Sequence, residues 1–304
     1  MRVTSPDFYK YNSLMANLKE VKQRINSVIS TQQITKAMKM VSAAKLRRAQ
    51  DRIIQMRPFS QKLTAILNNV SAASEGATDL VYAEKREVKK VLLVPVTSDK
   101  GLCGAFNTNV IKATNLAIRT QFAGAEVTIL PVGKKAFEYY KKSKFTVVGQ
   151  YSTLFHDLSF ENIRAAANYA MDAFVDGEFD QVILVFNEFK NVATQIIRTE
   201  QFLPMASAET EETTATETDY ILEPSREFII EELVPKALRT QFFKAILESN
   251  ASEHGARMTA MDKATENAGD LLKELKLMYN RSRQAAITNE ILEIVAGAEA
   301  LGGK

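Results

Sequence analysis

The residues best suited to chemistry lie in one short segment, TSDKGLCGAFN, which runs from Thr97 to Asn107. An acid, a base and a thiol stand close together there, as Asp99, Lys100 and Cys103. A glycine-containing turn between a strand and a helix can bind phosphate through the free N–H groups of the helix, and a cysteine beside a base can act as a nucleophile. One hypothesis is therefore an α/β nucleotide-binding enzyme that uses Ser98–Asn107.

Neither chemistry is complete in the sequence. Gly101 and Gly104 fit neither GxGxxG nor GxxxxGK[ST], so we interpret them as turn glycines. Cys103 has no neighbouring histidine, which favours a small buried side chain. The two histidines, His156 and His254, stand far apart and Cys103 is the single cysteine, so no metal-ligand spacing is present. We predict no catalytic, cofactor or metal residues.

The elements around this segment predict an open, Rossmann-like α/β sheet. Short apolar runs alternate with helical patterns between residues 88 and 222, which is typical of an α/β layer fold. The run Ala193–Phe202 is predicted to be a hairpin partner that gives the sheet an antiparallel edge. The strands are predicted at 91–96, 126–132, 145–149 and 181–186, and the helices at 106–122, 134–141 and 161–175.

A very long helix is predicted for the C-terminal residues, because no proline occurs after Pro235. Alternating steps of 3 and 4 residues mark a narrow coiled-coil seam there. The seam consists of Met261, Ala264, Ala268, Leu271, Leu275, Met278, Ser282 and Ala285. A partner helix is predicted to start at Asn17, where Glu20 completes a capping box.

The apolar pattern of this first helix is interrupted. It starts with Leu18, Val21, Ile25 and Val28, and polar residues follow at positions 30–33. We predict that the phase slips there and that the seam resumes at Ile34, Met38 and Val41.

Four segments result: an N-terminal extension at 1–16, a coiled-coil helix at 17–75, an α/β foot domain at 88–222 that contains an acidic flexible loop at 206–219, and a coiled-coil helix at 225–301. The connectivity makes the two helices antiparallel, and the last should be longer by around 20 residues, or roughly 30 Å. Its apolar end, from Ile291 to Ala298, should then enter a socket in another protein.

Charge is concentrated on the first helix. The chain has a net charge of +3, but Asn17–Val70 holds 11 basic and 2 acidic residues, which is 11 − 2 = +9. The densest part, Lys36–Arg52, is interpreted as a solvated face, as a nucleic-acid-binding coiled coil or as a surface for an acidic protein. No apolar run approaches the ~20 residues of a membrane-spanning helix, so membrane contact should go through partners.

Four motifs resemble the gamma subunit of the F-type ATP synthase, in its bacterial form. They are TQQITKAMKMVSAAKLRRAQ at 31–50, SDKGLCGAFNTNV at 98–110, ASEHGARMTAMDKATENAG at 251–269 and YNRSRQAAITNEILEIVAGAEAL at 279–301. The order helix, α/β domain, helix is the same as in that family. The resemblance extends over nearly all of the chain from Met15 onward.

The resemblance implies a non-catalytic rotor, a subunit of an ion-transporting ATPase. Its coiled coil would turn inside a ring of alpha and beta subunits, and its foot would sit on the c ring beside epsilon, so that ion flow is coupled to ATP synthesis or hydrolysis. It also implies no cofactor, no nucleic acid, and a peripheral position on the cytoplasmic side of the cell inner (plasma) membrane.

Contact residues follow only from this resemblance. Matching positions for stator contact are Met38, Lys39, Arg257, Arg283, Gln284 and Thr288. Matching positions for contact with the c ring and epsilon are Tyr220 and Glu223, at the ends of the segment 220–223.

Overall fold

The computed structural model describes residues 6–72, 81–205 and 226–302. These residues belong to two compact units, a helix-pair unit (Met1–Met40 with Met261–Lys304) and an α/β unit (Val41–Ala260). Two long helices, α1 (Pro6–Ala72) and α5 (Arg226–Gly302), contribute to both units.

Both long helices tolerate a proline in their interior. Helix α1 begins at Pro6 rather than at the predicted Asn17, and it contains Pro58. Helix α5 contains Pro235. A proline removes one helical hydrogen bond, but Val234 (2% exposed) and Leu238 (1%) on either side of Pro235 are buried in the core. Burial of this apolar face holds the helix together across the missing bond.

The α/β unit is built on a five-stranded sheet in the order β3-β2-β1-β4-β5. Its strands are β1 (Lys90–Pro95), β2 (Glu126–Ile129), β3 (Thr146–Val147), β4 (Gln181–Phe189) and β5 (Gln195–Leu203). The first four are parallel neighbours, and β5 pairs antiparallel with β4. The predicted open α/β sheet and its antiparallel edge are confirmed.

Helices cover both faces of this sheet. They are α2 (Phe106–Thr120), α3 (Lys134–Tyr140) and α4 (Phe160–Val175), with 3₁₀ turns at Val81–Ala83, Gly149–Tyr151 and Leu154–His156. On one face Leu93 packs with residues of α2 and α3. On the other face Leu92 packs with α4 and with Phe242 of α5. Strand β1 is buried on both sides, which explains its continuous apolar run.

The helix-pair unit is antiparallel, as predicted. Lys39 Nζ lies 2.6 Å from Asp262 Oδ1. One turn earlier in α1, Thr35 Oγ1 accepts a hydrogen bond from Thr265 Oγ1 at 2.8 Å. Earlier still, Gln32 Nε2 donates to the carbonyl oxygen of Thr265 at 3.4 Å. Contacts therefore move backward along α1 as they move forward along α5.

The predicted phase slip in α1 is wrong. Thr35 is 8% exposed, whereas Ile34 is 59% exposed. The inward positions keep their original steps of 3 and 4 through Val28, Gln32 and Thr35. The physical reason is that α5 offers polar partners at this level, so the side chains of Gln32 and Thr35 are hydrogen-bonded inside the seam.

The predicted seam of α5 is half correct. Met261 (4% exposed), Ala268 (8%) and Leu275 (6%) are buried as expected. Leu271 and Met278 are exposed at 37% and 47%. The residues that follow them, Leu272 and Tyr279, are half-buried instead, and Ala286 is buried while Ala285 is exposed. An α-helix has 3.6 residues per turn, so residues three and four positions along lie on either side of the same helix face. Which of the two is buried depends on where α1 packs.

Candidate functional site

Hydrogen bonds within the turn between β1 and α2 fix its conformation. The backbone N–H of Ser98 donates to Asn107 Oδ1 at 2.8 Å, and Ser98 Oγ donates to the carbonyl oxygen of Lys100 at 2.7 Å. Ser98 is fully buried. Asp99 Oδ1 accepts from the backbone N–H of Lys134 at 3.0 Å, which ties the turn to α3. Local polar contacts therefore order the segment Thr97–Asn107.

A buried arginine on α5 reaches the same turn. Arg257 is 8% exposed. Its Nη1 donates to the carbonyl oxygen of Gly101, and its Nη2 donates to the carbonyl oxygen of Lys100 at 3.2 Å and to Glu253 Oε1 at 2.6 Å. One guanidinium therefore joins two turn carbonyls to a carboxylate on its own helix.

Burial dominates the electrostatics of this cluster. Desolvation raises the pKa of Glu253, and the hydrogen bond and charge of Arg257 only partly offset it. Burial also raises the pKa of the Cys103 thiol, although its contact with Ser98 opposes the shift. Because Cys103 is 1% exposed and favours the protonated form, it is unsuited to act as a nucleophile.

The exposed tip of the turn has an unusual backbone. Leu102 has φ 64° and is 65% exposed. A left-handed conformation costs a non-glycine residue about 1–2 kcal/mol. Such residues persist when their surroundings over-determine them, and they are enriched at functional positions. The sequence carried no sign of this conformation.

The geometry does not favour a nucleotide site in the turn. Ser98 and Asn107 bond each other, and the carbonyl groups of Lys100 and Gly101 bind the guanidinium of Arg257. These bonds hold the turn and leave the groups that make them less available to a phosphate. Within residues 6–72, 81–205 and 226–302, no cluster of three or more His, Cys, Asp or Glu residues has the geometry of a metal site.

The residues predicted for stator contact differ in exposure. Met38 and Lys39 of α1 are half-buried, and Lys39 is paired with Asp262. On α5, Arg283, Gln284 and Thr288 are exposed, and Gln284 and Thr288 are one helical turn apart. Arg257 differs from all of these because it is buried and its guanidinium is bonded to three acceptors within the α/β unit. Tyr220, Glu223 and the acidic loop 206–219 lie outside the described residues.

The C-terminal part of α5 presents apolar side chains to solvent. Ile291, Leu292, Ile294 and Val295 are between 49% and 66% exposed. Contiguous exposed apolar surface of this kind marks an interaction site. The structure thus agrees with the expected exposure of this end.

The structure adds Glu253 to the candidate site and gives Asn107, the last residue of the predicted segment, a defined contact. Glu253 stands four residues before Arg257, a spacing that pairs side chains along a helix. That signal was visible, but only the fold brings the pair to the Lys100 carbonyl. Asn107 is the second residue of α2, next to the turn, and its side-chain Nδ2 donates to Ser98 Oγ at 2.9 Å.

Known proteins resemble this chain over most of its length. A family model described as ATP synthase matches residues 17–301. The ATP synthase gamma chain of Cytophaga hutchinsonii is 58% identical over 293 residues, which are 94% of this chain and 99% of that relative. The gamma chain of Flavobacterium johnsoniae is 56% identical over 290 residues, 95% of this chain and 100% of that relative.

Solved structures show a similar fold. A cryo-EM structure of the central stalk and c ring of the Tetrahymena thermophila mitochondrial ATP synthase contains a chain with 27% identity and a TM-score of 0.56, covering 76% of this chain and 99% of that one. A chain of the Euglena gracilis mitochondrial ATP synthase has 20% identity and a TM-score of 0.64, with 95% of each chain covered, and supports the fold alone. The sequence and the fold together place this chain in the ATP synthase gamma chain family.

Proposed function

We propose that this chain is the central rotor subunit of an ATP synthase. It transmits rotation of the c ring to the catalytic beta subunits and so couples ion flow to ATP synthesis or hydrolysis. The observation that carries this proposal is the match to ATP synthase gamma chains over 94% of this chain at 58% identity. The antiparallel helix pair and the α/β unit are the parts such a rotor requires.

The rotor itself performs no chemistry in this proposal. The buried, protonated thiol of Cys103 and the internally bonded turn support this view. Rotation changes which side of an asymmetric helix pair faces each beta subunit. Because each face makes different contacts, each catalytic site is driven toward a different nucleotide affinity.

The proposed partners are the alpha and beta subunits, epsilon and the c ring. Arg283, Gln284 and Thr288 support stator contact because they are exposed on α5. Met38 and Lys39 are proposed for the same contact on α1. Tyr220 and Glu223 are proposed to contact the c ring and epsilon on family resemblance alone. The segments 17–75, 88–222 and 225–301 are the proposed functional division, with the apolar end of α5 in a partner socket.

The proposed location is the cytoplasmic side of the cell inner (plasma) membrane, as a peripheral subunit. Among the described residues, no helix has an apolar stretch long enough to cross a bilayer. The gamma chain is a component of the membrane-associated ATP synthase complex. Contact with the membrane is therefore proposed to pass through the complex.

A reconstitution experiment tests this function. The chain is added to ATP synthase that has been purified without its gamma subunit, and the complex is placed in vesicles. We expect gradient-driven ATP synthesis that depends on the added chain. Assembly without any synthesis or gradient-sensitive hydrolysis would contradict the rotor function.

The basic segment of α1 is proposed to meet acidic stator loops. Lys36 and Arg48 are exposed, and Lys39 is half-buried. Charge reversal by Lys39→Glu together with Arg48→Glu should impair assembly or coupled synthesis, because opposite charges across an interface guide association. Unchanged assembly and synthesis in the double variant would remove this part of the proposal.

A further inference from the structure

We propose that Arg257 is a positioning residue, which holds the exposed turn Lys100–Leu102 from inside the α/β unit rather than contacting a stator subunit itself. This role rests on the proposed rotor function, because the turn would make the contact with a stator subunit and Arg257 would hold the turn in place. It revises the role that family resemblance suggested for this arginine.

The guanidinium of Arg257 is engaged within the α/β unit. Its two terminal nitrogens already have three acceptors: the carbonyl oxygens of Gly101 and Lys100, and the carboxylate of Glu253. The side chain is 10% exposed. The guanidinium is planar and permanently charged, so it can donate to several fixed acceptors at once. An outward contact would require these bonds to break and would leave two carbonyls and a buried carboxylate without this donor.

The turn, unlike Arg257, is exposed on the surface of the α/β unit. Lys100, Gly101 and Leu102 are exposed, although their neighbours Ser98 and Cys103 are buried. Leu102 has a left-handed backbone, at φ 64°. The turn therefore has a defined shape that local sequence preference does not favour. Bonds from Arg257 to the two carbonyls immediately before Leu102 oppose relaxation of this strain.

Arg257 also connects two distant elements of the α/β unit. Arg257 belongs to α5, and the turn follows directly on β1, the central strand of the sheet. Asp99 links the other side of the turn to the start of α3. Arg257 thus joins the long helix to the sheet at a buried, charge-assisted contact. In a rotor under torque, this contact would keep the turn at a fixed position relative to α5.

Hydrogen exchange of the isolated full-length chain tests the positioning role without any partner. Arg257→Lys keeps the charge but replaces the fork with a single ammonium group. We expect amides in residues 97–104 to exchange about tenfold faster, as loss of a charge-assisted hydrogen bond lowers the cost of local opening. Arg283→Lys is the matched control, because Arg283 is exposed and comes from the same predicted contact set.

A second-site change tests whether strain at the turn is what Arg257 holds. Adding Leu102→Gly to Arg257→Lys should restore part of the lost protection, since glycine adopts this conformation without the steric cost. Circular dichroism of each variant verifies that the chain is folded. If Arg257→Lys left exchange at 97–104 unchanged, or if Arg283→Lys increased it equally, the positioning role would be overturned.

The assembled complex provides the functional readout. Arg257→Lys should lower gradient-driven ATP synthesis more than maximal ATP hydrolysis, and Lys100→Ala at the exposed tip should have the same signature. Reduced synthesis together with unchanged exchange in the isolated chain would show direct contact and contradict the proposal. Failure of the rotor function itself is distinguishable, because the unsubstituted chain would then support no synthesis while the exchange result stood.

Discussion

Lys39 and Asp262 form an ion pair of 2.6 Å between the two long helices, although 223 positions separate them in the chain. The pair lies one helical turn from the contact of Thr35 with Thr265, next to the buried Met261. Both side chains remain accessible, at 37% and 58% exposure. The pair therefore reflects the antiparallel register of the helices, but it should contribute little to the free energy of unfolding.

We expect Asp262→Asn to lower the free energy of unfolding by less than about 1 kcal/mol, because exposed ion pairs gain little in water. The loss should shrink at high salt, where charges are screened. Denaturant unfolding at low and high salt measures both effects. Asp270→Asn is the control, since Asp270 pairs with Lys273 within one helix. A salt-independent loss above about 2 kcal/mol for Asp262→Asn would contradict this assignment.

His254 should make the stability of the α/β unit depend on pH. Burial lowers its pKa to about 4, and the positive charges of Lys45 and Arg257 add to the effect. Its Nδ1 is buried and has no hydrogen-bond partner among the described residues. Because the folded pKa is depressed below the unfolded value near 6.5, protons bind the unfolded state preferentially as the pH falls. Stability from this group is therefore present above pH 6.5 and is lost between about 6.5 and 4.

The test compares wild type with His254→Gln at several pH values by denaturant unfolding. Wild type should lose about 2 kcal/mol relative to the variant between pH 7 and pH 4, less than full burial would give because His254 is only half-buried. His156→Gln serves as the control, since that side chain is 62% exposed. A constant difference between wild type and His254→Gln across this range would refute the depressed pKa.

Gly133 should not tolerate a side chain. Its φ is 97°, and an added Cβ would lie 2.1 Å from the carbonyl oxygen of Thr97. The clash is with backbone, so no side-chain movement relieves it. Gly133→Ala should cost about 3 kcal/mol or more in the free energy of unfolding. At Gly124 an added Cβ meets nothing within 4 Å, so Gly124→Ala should change stability by no more than about 0.5 kcal/mol. Equal effects at the two glycines would disprove the explanation.

The polar layer of the helix pair should be replaceable by apolar side chains. Thr35 Oγ1 donates within its own helix to the carbonyl oxygen of Gln32, and Thr265 Oγ1 also lies 2.7 Å from that of Met261. Thr35→Val therefore leaves Thr265 with a partner and exchanges a buried hydroxyl for a methyl group. We expect stabilisation of up to about 1 kcal/mol.

Thermal unfolding monitored by circular dichroism checks this prediction. Thr31→Val is a matched control, because Thr31 is exposed and also bonds its own helix, at the carbonyl oxygen of Ser27. A destabilisation above about 1 kcal/mol for Thr35→Val alone would show instead that the hydroxyl pair of Thr35 and Thr265 holds the helices together.

Much of the fold was predictable because its signals are local. Apolar runs marked each strand of the sheet to within a few residues, and the hairpin of β4 and β5 followed from two adjacent runs. The start of α1 was missed because Asn17 and Glu20 resemble a cap, although the helix already begins at Pro6. A capping motif can occur inside a helix whenever the preceding residues also permit helical backbone.

The candidate site was predictable only in part. The turn was identified from its glycines and polar residues, but the left-handed Leu102 was not, because leucine has no preference for that conformation. Family resemblance predicted an outward contact for Arg257, and a charged side chain on a long helix is usually exposed. Its burial depends on acceptors at Lys100 and Gly101, which lie 157 and 156 positions away in the chain.

Hydrophobic period and turn residues act over a few neighbouring positions, so local patterns were enough to predict the elements and their order, two long helices around an α/β sheet. Family membership also followed from the sequence. The side of each helix that faces inward depends on packing in the folded chain, which buries Thr35 rather than Ile34 in the seam and places Arg257 inside the α/β unit. The physical reason is that burial and hydrogen bonding of a side chain depend on the partner that packs against it, and that partner comes from a distant part of the chain.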